Sequence, residues 1–184
     1  MKHIMRTCEG REDYAMYMHS QIPNLVEIKD FKKDPMKNFM NALEAAGDDE
    51  AIHFEDDAIL VENFVEKSQK VIDKYPDTVI QFFSMRKADL TIGTRMEKGS
   101  TFLAAVCFYL PAKMSKGLRA YFPKWERWDE HPTGLDITVA DYLKKTKQDY
   151  LIFCPNLADH RIGKSKIDSR RSSKRVSFTF KDNL

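Results

Sequence analysis

Hydrophobic and polar positions change their spacing several times along this chain, and each change marks an element. Residues 2–7 (KHIMRT) read as a short strand that runs into a charged loop, Cys8 to Asp13. Residues 12–20 place Tyr14, Tyr17 and Met18 on one helical face, and Ile22-Pro23 ends it. Asn24–Ile28 reads as a second strand. Asp34-Pro35 supplies an N-cap and a first-turn proline, and Phe39, Met40, Leu43 and Ala46 follow at helical spacing up to Gly47. Ala51–Phe54 is a short apolar strand closed by Glu55-Asp56-Asp57. Ala58–Leu60 leads into a helix over Val61–Lys74, with Phe64, Val65, Val71 and Ile72 inward.

The second half continues the alternation. Thr78–Phe83 is β-branched and aromatic, which suits a buried strand. Met85–Ser100 is polar with two glycines and reads as a mobile loop, a candidate lid. The ten apolar residues Thr101–Leu110 fit a central strand, and Pro111–Tyr121 a helix. After the aromatic and charged stretch 122–132, a helix opens near Asp136 and runs to about Lys145. Tyr150–Phe153 is a last strand, and Val176–Phe180 alternates like an edge strand. Strands alternating with helices predict an α/β domain with a mostly parallel sheet.

Composition narrows the class. The chain has 184 residues, 42% hydrophobic and 32% charged, enough for one domain with a real core. No apolar run approaches the ~20 residues of a membrane-spanning helix, and the first residues lack the apolar core of a secretory signal. Three widely spaced cysteines suit neither a disulfide framework nor a thiolate zinc site, so the expected location is cytoplasmic. The net charge of +2 conceals a split: residues 1–92 hold 12 basic and 18 acidic residues, residues 93–184 hold 18 and 10. An acidic first half suggests a cation site, and a basic second half an anionic partner.

The sharpest local feature is His53-Phe54-Glu55-Asp56-Asp57-Ala58. Three adjacent carboxylates at a strand's carboxyl end repel one another unless a cation offsets the charge. Hard cations such as Mg²⁺ or Mn²⁺ take such oxygens and keep positions for phosphate. On a continuing strand Glu55 and Asp57 point one way and Asp56 the other. The alternative reading is a solvated acidic turn.

The segment IHFEDDAILVENF resembles the strand, carboxylate motif and following helix of GT-A glycosyltransferases, most closely small phage and bacterial types and the lipooligosaccharide enzymes with a Glu-Asp-Asp motif. HIMRTCEGRED, TFLAAVCFYLP, GLDITVADYL and CPNLADHRIGKS resemble further segments of that family in the same order. The resemblance implies a GT-A-like, Rossmann-type α/β/α sandwich, with a single compact catalytic domain at 1–165 and a basic tail at 166–184. It implies a divalent metal, Mn²⁺ or Mg²⁺, held by Glu55, Asp57 and His160 on the diphosphate of a nucleotide sugar, UDP-linked. Arg6, Thr7, Arg11, Asp56, Gly163 and Ser165 are the implied donor contacts, and Asp136 the implied general base. As simpler alternatives, Asp136 is a helix-dipole partner, His160 a surface histidine, and Arg6 and Arg11 solvated loop residues. Trp125 and Trp128 are candidates for stacking on a sugar or for the core.

Residues 161–175 carry seven basic side chains against Asp168, a pattern suited to a polyanion. Phage-type enzymes of the resembled kind can glycosylate hydroxymethylated pyrimidines in DNA, so the resemblance, together with this basic stretch, implies modified DNA as the acceptor. A cell-surface glycan, a non-enzymatic nucleic-acid-binding role and a carboxylate-based phosphoryl-transfer enzyme are the alternatives.

Overall fold

A computed structural model describes residues 1–163 and 174–181. Its elements, in chain order, are β1 (Lys2–Cys8), α1 (Glu12–Gln21), β2 (Val26–Asp30), α2 (Pro35–Ala46), β3 (Ala51–Glu55), β4 (Ala58–Leu60) and α3 (Phe64–Ile72). They continue with β5 (Val79–Gln81), α4 (Asp89–Ile92), β6 (Arg95–Lys98), β7 (Cys107–Leu110), α5 (Ala112–Tyr121), α6 (Leu135–Thr146), β8 (Asp149–Ile152) and β9 (Ala158–His160). Seven strands form one sheet in the order β2-β1-β3-β7-β5-β8-β6. β1 is parallel to β2 and β3, and β5 to β8, while β7 and β6 are antiparallel to their neighbours. Two strands thus oppose a majority that runs one way.

Strand alternation sends side chains to two cores. Ile4, Ala51, Phe108, Leu110, Val79 and Tyr150 face a layer built by α2, α5 and α6. Met5, Ile52, Phe54, Tyr109, Ile80 and Leu151 face a layer built by α1 and α3. The fold is a Rossmann-like α/β/α sandwich. Each fully buried large side chain contributes about 1.5–3 kcal/mol, and Phe39, Phe54, Phe82, Phe83, Phe108 and Phe122 are all in that state.

The elements depart from the sequence expectation in four places, each for a local reason. Ala58–Leu60 is not a helix entry. It is a strand that pairs antiparallel with β9, and the ladder continues through the Val61 N–H to the Leu157 carbonyl, so α3 starts only at Phe64. Residues 85–100 are not a loop. The Asp89 carboxylate, fully shielded, and Glu97 both bind Arg95, at 2.8 and 2.6 Å, and this ties α4 to β6, the edge strand of the sheet.

The apolar run 101–110 is a strand only from Cys107. Ala104 has a left-handed backbone (φ 63°), and the carbonyls of Leu103, Ala104 and Ala105 receive hydrogen bonds from Gln81 and Arg6 rather than from a neighbouring strand. Finally, Val176–Phe180 is not a strand. Side chains pin it instead: the Asn156 N–H donates to Thr179 Oγ1 (3.1 Å), the Ser177 hydroxyl donates to Asn156 Oδ1 (2.7 Å), and Phe180 packs on the α1–α3 core. Most of the expected 166–184 tail lies outside the described residues.

Candidate metal centre

The acidic turn is clamped from both sides. Arg6 of β1 is in register with Glu55 of β3, the Asp56 N–H donates to the Arg6 carbonyl (3.0 Å), and the Glu55 N–H donates to the Val106 carbonyl (2.8 Å). The three carboxylates are therefore held by backbone at the carboxyl end of β1 and β3, where open α/β sheets bind ligands. Asp56 and Asp57 are buried, and the Glu55 side chain is 23% exposed.

The β4–β9 pairing then delivers a residue from the far end of the sequence. Ala58 is opposite His160, and the Arg161 N–H donates to the Asp57 carbonyl (2.8 Å). His160 Nε2 consequently lies 3.2 Å from Asp57 Oδ2. One ligand atom each from Glu55, Asp57 and His160 falls within 4.8 Å of the others. The family resemblance implied this trio, and the structure brings its three side chains together.

The donor set fits a divalent cation. Asp57 Oδ1 and His160 Nδ1 are buried and make no hydrogen bond among the described residues. Burial alone would raise the Asp57 carboxyl, but His160 and Arg11 outweigh it and hold Asp57 below the usual carboxylate range. It stays ionised and available as a ligand. Two carboxylates and one imidazole form a mixed oxygen–nitrogen set suited to Mn²⁺.

Asp56 faces other partners. Thr7 Oγ1 donates to its Oδ2 (2.9 Å) and Arg11 Nη1 to its Oδ1 (3.1 Å). The same Arg11 nitrogen is 3.0 Å from Asp57 Oδ2. Burial, then the neighbouring Asp57 charge, push Asp56 up to about 6. Thr7, Arg11 and Asp56 are thus one bonded unit beside the metal trio.

Arg6 lies beneath the turn rather than in solvent, at 6% exposure. Its Nη2 donates to the Ala105 carbonyl (2.7 Å), lies 3.8 Å from Glu55, and its guanidinium covers the Phe39 ring at 5.2 Å. Burial lowers its pKa against the opposing charges of Glu55, Asp56, Asp57 and Asp136. Asp136 therefore belongs to the same charge cluster. Its Oδ2 accepts from the Ala104 N–H (3.2 Å), which ties the start of α6 to the loop before β7.

Gly163 is exposed, with open space where a side chain would be, and Ser165 lies outside the described residues. Trp125 and Trp128 are core aromatics. Trp125 is buried with its indole N–H on Asp141 (3.0 Å), and Trp128 packs edge-on against Phe122 at 5.0 Å.

Three contributors escaped the sequence reading. The Arg161 guanidinium covers both Tyr14 and Tyr17, at 4.7 and 4.6 Å, and Arg11 covers Tyr14 at 4.8 Å. This stack ties α1 to the end of β9. Asn38 donates to the Thr7 carbonyl (3.1 Å) and steadies the loop after β1. Arg175 reaches His160 Nε2 at 2.7 Å. The sequence reading had Arg161 and Arg175 only as members of a basic stretch, and it hinted at these contacts only through the helical spacing of Tyr14 and Tyr17.

A cleft of about 60 Å³ opens over the turn, between Thr7, Arg11, Thr133, Leu135 and Arg175. That is well below the ~300 Å³ lower end of small-molecule sites. Among the described residues, no helix is long and apolar enough to cross a membrane.

No family model matches the chain, and no curated protein matches it. Among solved structures, the crystal structure of A197 from STIV aligns over 100% of this chain and 97% of that one, with 13% identity and a TM-score of 0.48.

Proposed function

We propose that this chain is a metal-dependent glycosyltransferase that moves a sugar from a nucleotide sugar, UDP-linked, to an acceptor hydroxyl. The observation that carries the reading is the convergence of Glu55, Asp57 and His160 at the carboxyl end of β3. Glu55, Asp57 and His160 would hold the cation. When bound, it would supply charge neutralisation at the diphosphate leaving group.

The chain's own groups do the rest. Arg11 fixes Asp56 and Asp57 in place, and Thr7 orients Asp56 toward the donor side. Asp136 accepts the proton of the acceptor hydroxyl as that oxygen bonds to the anomeric carbon. The anomeric carbon–phosphate oxygen bond breaks, and its electron pair leaves with the diphosphate. Arg6, buried under the carboxylates, offsets part of the negative charge of the four acids around it. The expected acceptor is a polyanion bearing hydroxymethyl groups, as in modified DNA. Arg161, Lys174 and Arg175 are the described members of the basic stretch 161–175 that would meet it. A purely nucleic-acid-binding role leaves the buried carboxylate–imidazole cluster without a use.

The test is Mn²⁺-dependent turnover of a panel of UDP-, GDP- and TDP-sugars, read as slow donor hydrolysis. Release of nucleoside diphosphate that disappears with EDTA and in Asp57→Asn is the expected result. Absence of metal-dependent binding or hydrolysis across the panel overturns the reading.

A further inference from the structure

The 174–181 segment does more than cover the domain edge. It is fastened at three points to residues just before the metal trio's histidine. The Ser177 N–H donates to Asp159 Oδ1 (2.6 Å), the Ser177 hydroxyl to Asn156 Oδ1 (2.7 Å), and the Asn156 N–H to Thr179 Oγ1 (3.1 Å). Asn156 is fully buried and is itself bound to the Ser84 N–H (3.0 Å) and the Phe153 carbonyl (2.6 Å), so this anchor is rigid. It places Arg175 Nη2 at 2.7 Å from His160 Nε2. A guanidinium has only donors, so Nε2 must accept there through its lone pair. Nε2 also lies 3.2 Å from Asp57 Oδ2, so a cation shared by Asp57 and this nitrogen would need the place the guanidinium takes.

We propose that Arg175 is a built-in competitor for the metal and a ligand for the donor diphosphate, exchanging one role for the other. The inference rests on the metal-site reading above and names a regulation of that site. A cation entering between Glu55, Asp57 and His160 must displace the guanidinium from Nε2. Once displaced, Arg175 stands beside a dication, an unfavourable pairing of like charges. A diphosphate on the metal reverses the sign, because the guanidinium can then pair bidentately with phosphate oxygens. Arg175 also lines the 60 Å³ cleft, so the same movement enlarges a space now too small for a nucleotide. Metal and diphosphate therefore bind cooperatively, and each alone binds weakly. By reciprocity, the factor by which UDP tightens Mn²⁺ equals the factor by which Mn²⁺ tightens UDP.

The test uses isothermal titration with the full chain, in wild type, Arg175→Ala and Arg175→Lys. Mn²⁺ is titrated alone and with saturating UDP, and UDP is titrated with saturating Mn²⁺. Arg175→Ala should bind Mn²⁺ alone about tenfold more tightly and UDP in the presence of Mn²⁺ about tenfold more weakly. Arg175→Lys retains the charge without the planar fork and should fall between the two. Equal Mn²⁺ affinity in wild type and Arg175→Ala overturns the competitor role while the metal site stands. Unchanged UDP affinity in Arg175→Ala overturns the diphosphate role. No Mn²⁺ binding in any of the three proteins overturns both the metal site and the inference.

Discussion

Asp57 and His160 are far apart in the sequence, yet Asp57 Oδ2 and His160 Nε2 lie 3.2 Å apart. Nothing in their immediate sequence neighbourhoods joins them. The contact is made by two three-residue strands, β4 and β9, that set Ala58 against His160. A candidate ligand set for a cation is assembled by a pairing outside the main sheet. That pairing also ties the end of the chain's last described strand to the segment directly after β3.

If this set binds a cation, the folded state gains stability by mass action. Mn²⁺ at about 100 times its dissociation constant should stabilise the protein by about 2.7 kcal/mol. That is a rise of several degrees in Tm for a domain of this size. Asp57→Asn keeps the side-chain volume and should lose the rise. Thermal melts with and without Mn²⁺ or EDTA check this, and an equal rise in Asp57→Asn would place the cation elsewhere.

Asp136 should separate from the metal ligands in its kinetics. Asp136→Asn removes a proton acceptor but leaves Glu55, Asp57 and His160 intact. The expected outcome is a loss of about 10²–10⁴ in transfer rate, with Mn²⁺ affinity unchanged. Equal transfer rates in the variant would assign Asp136 only the task of fastening the Ala104 N–H.

Arg6 should matter to stability before it matters to activity. Among the described residues, replacing it with Met removes one of the two buried counter-charges of the acid cluster, leaving Arg11 alone, and frees the Ala105 carbonyl. Removing one member of a buried charge cluster costs about 3–5 kcal/mol. Urea denaturation of Arg6→Met measures it. A loss below about 1 kcal/mol would show that solvent, not Arg6, balances the acids.

His53 supplies an acid-sensitive element apart from the site. Its ring is fully buried, stacked on Phe108 at 5.3 Å and edge-on to Phe39 at 5.8 Å, with neither nitrogen hydrogen-bonded among the described residues. Burial, then the nearby Arg6 charge, lower its pKa to about 3. The unfolded chain takes up a proton near pH 6.5 while the folded chain does not. Stability from His53 is therefore complete above pH 6.5. It falls by about 1.4 kcal/mol per pH unit as pH drops toward the folded pKa. His53→Phe should remove this part of the acid loss, seen as a flatter stability–pH curve. Parallel curves for the two proteins would contradict a neutral buried imidazole.

The legible parts of the fold were those where chemistry repeats along the chain. Met36 to Ala46 carries its helix in its spacing, and Asp34 caps it through the Lys37 N–H as its type suggests. The acidic turn was readable because three carboxylates beside an apolar strand are hard to accommodate otherwise. β4 and β9 were not readable, since three residues are too few to show a period of two. The run 101–110 misled for a different reason: apolar content says buried, but the left-handed Ala104 and the Gln81 and Arg6 contacts depend on partners distant in sequence. Arg6 illustrates the same limit at the site. Its type suggested a donor contact, but its burial beneath the acids while still lining the cleft comes from its register beside Glu55, a long-range pairing. The placement of Arg175 against His160 was beyond sequence reasoning, because the anchors that aim it are Asn156 and Asp159.

The most direct measurement is a crystal soaked with Mn²⁺ and UDP, examined by anomalous scattering at the manganese edge. The expected result is one strong peak bonded to Glu55, Asp57 and His160, with diphosphate oxygens completing its coordination. A manganese peak away from these three side chains, or none at saturating Mn²⁺ and UDP, would contradict the metal centre and the glycosyltransferase reading built on it.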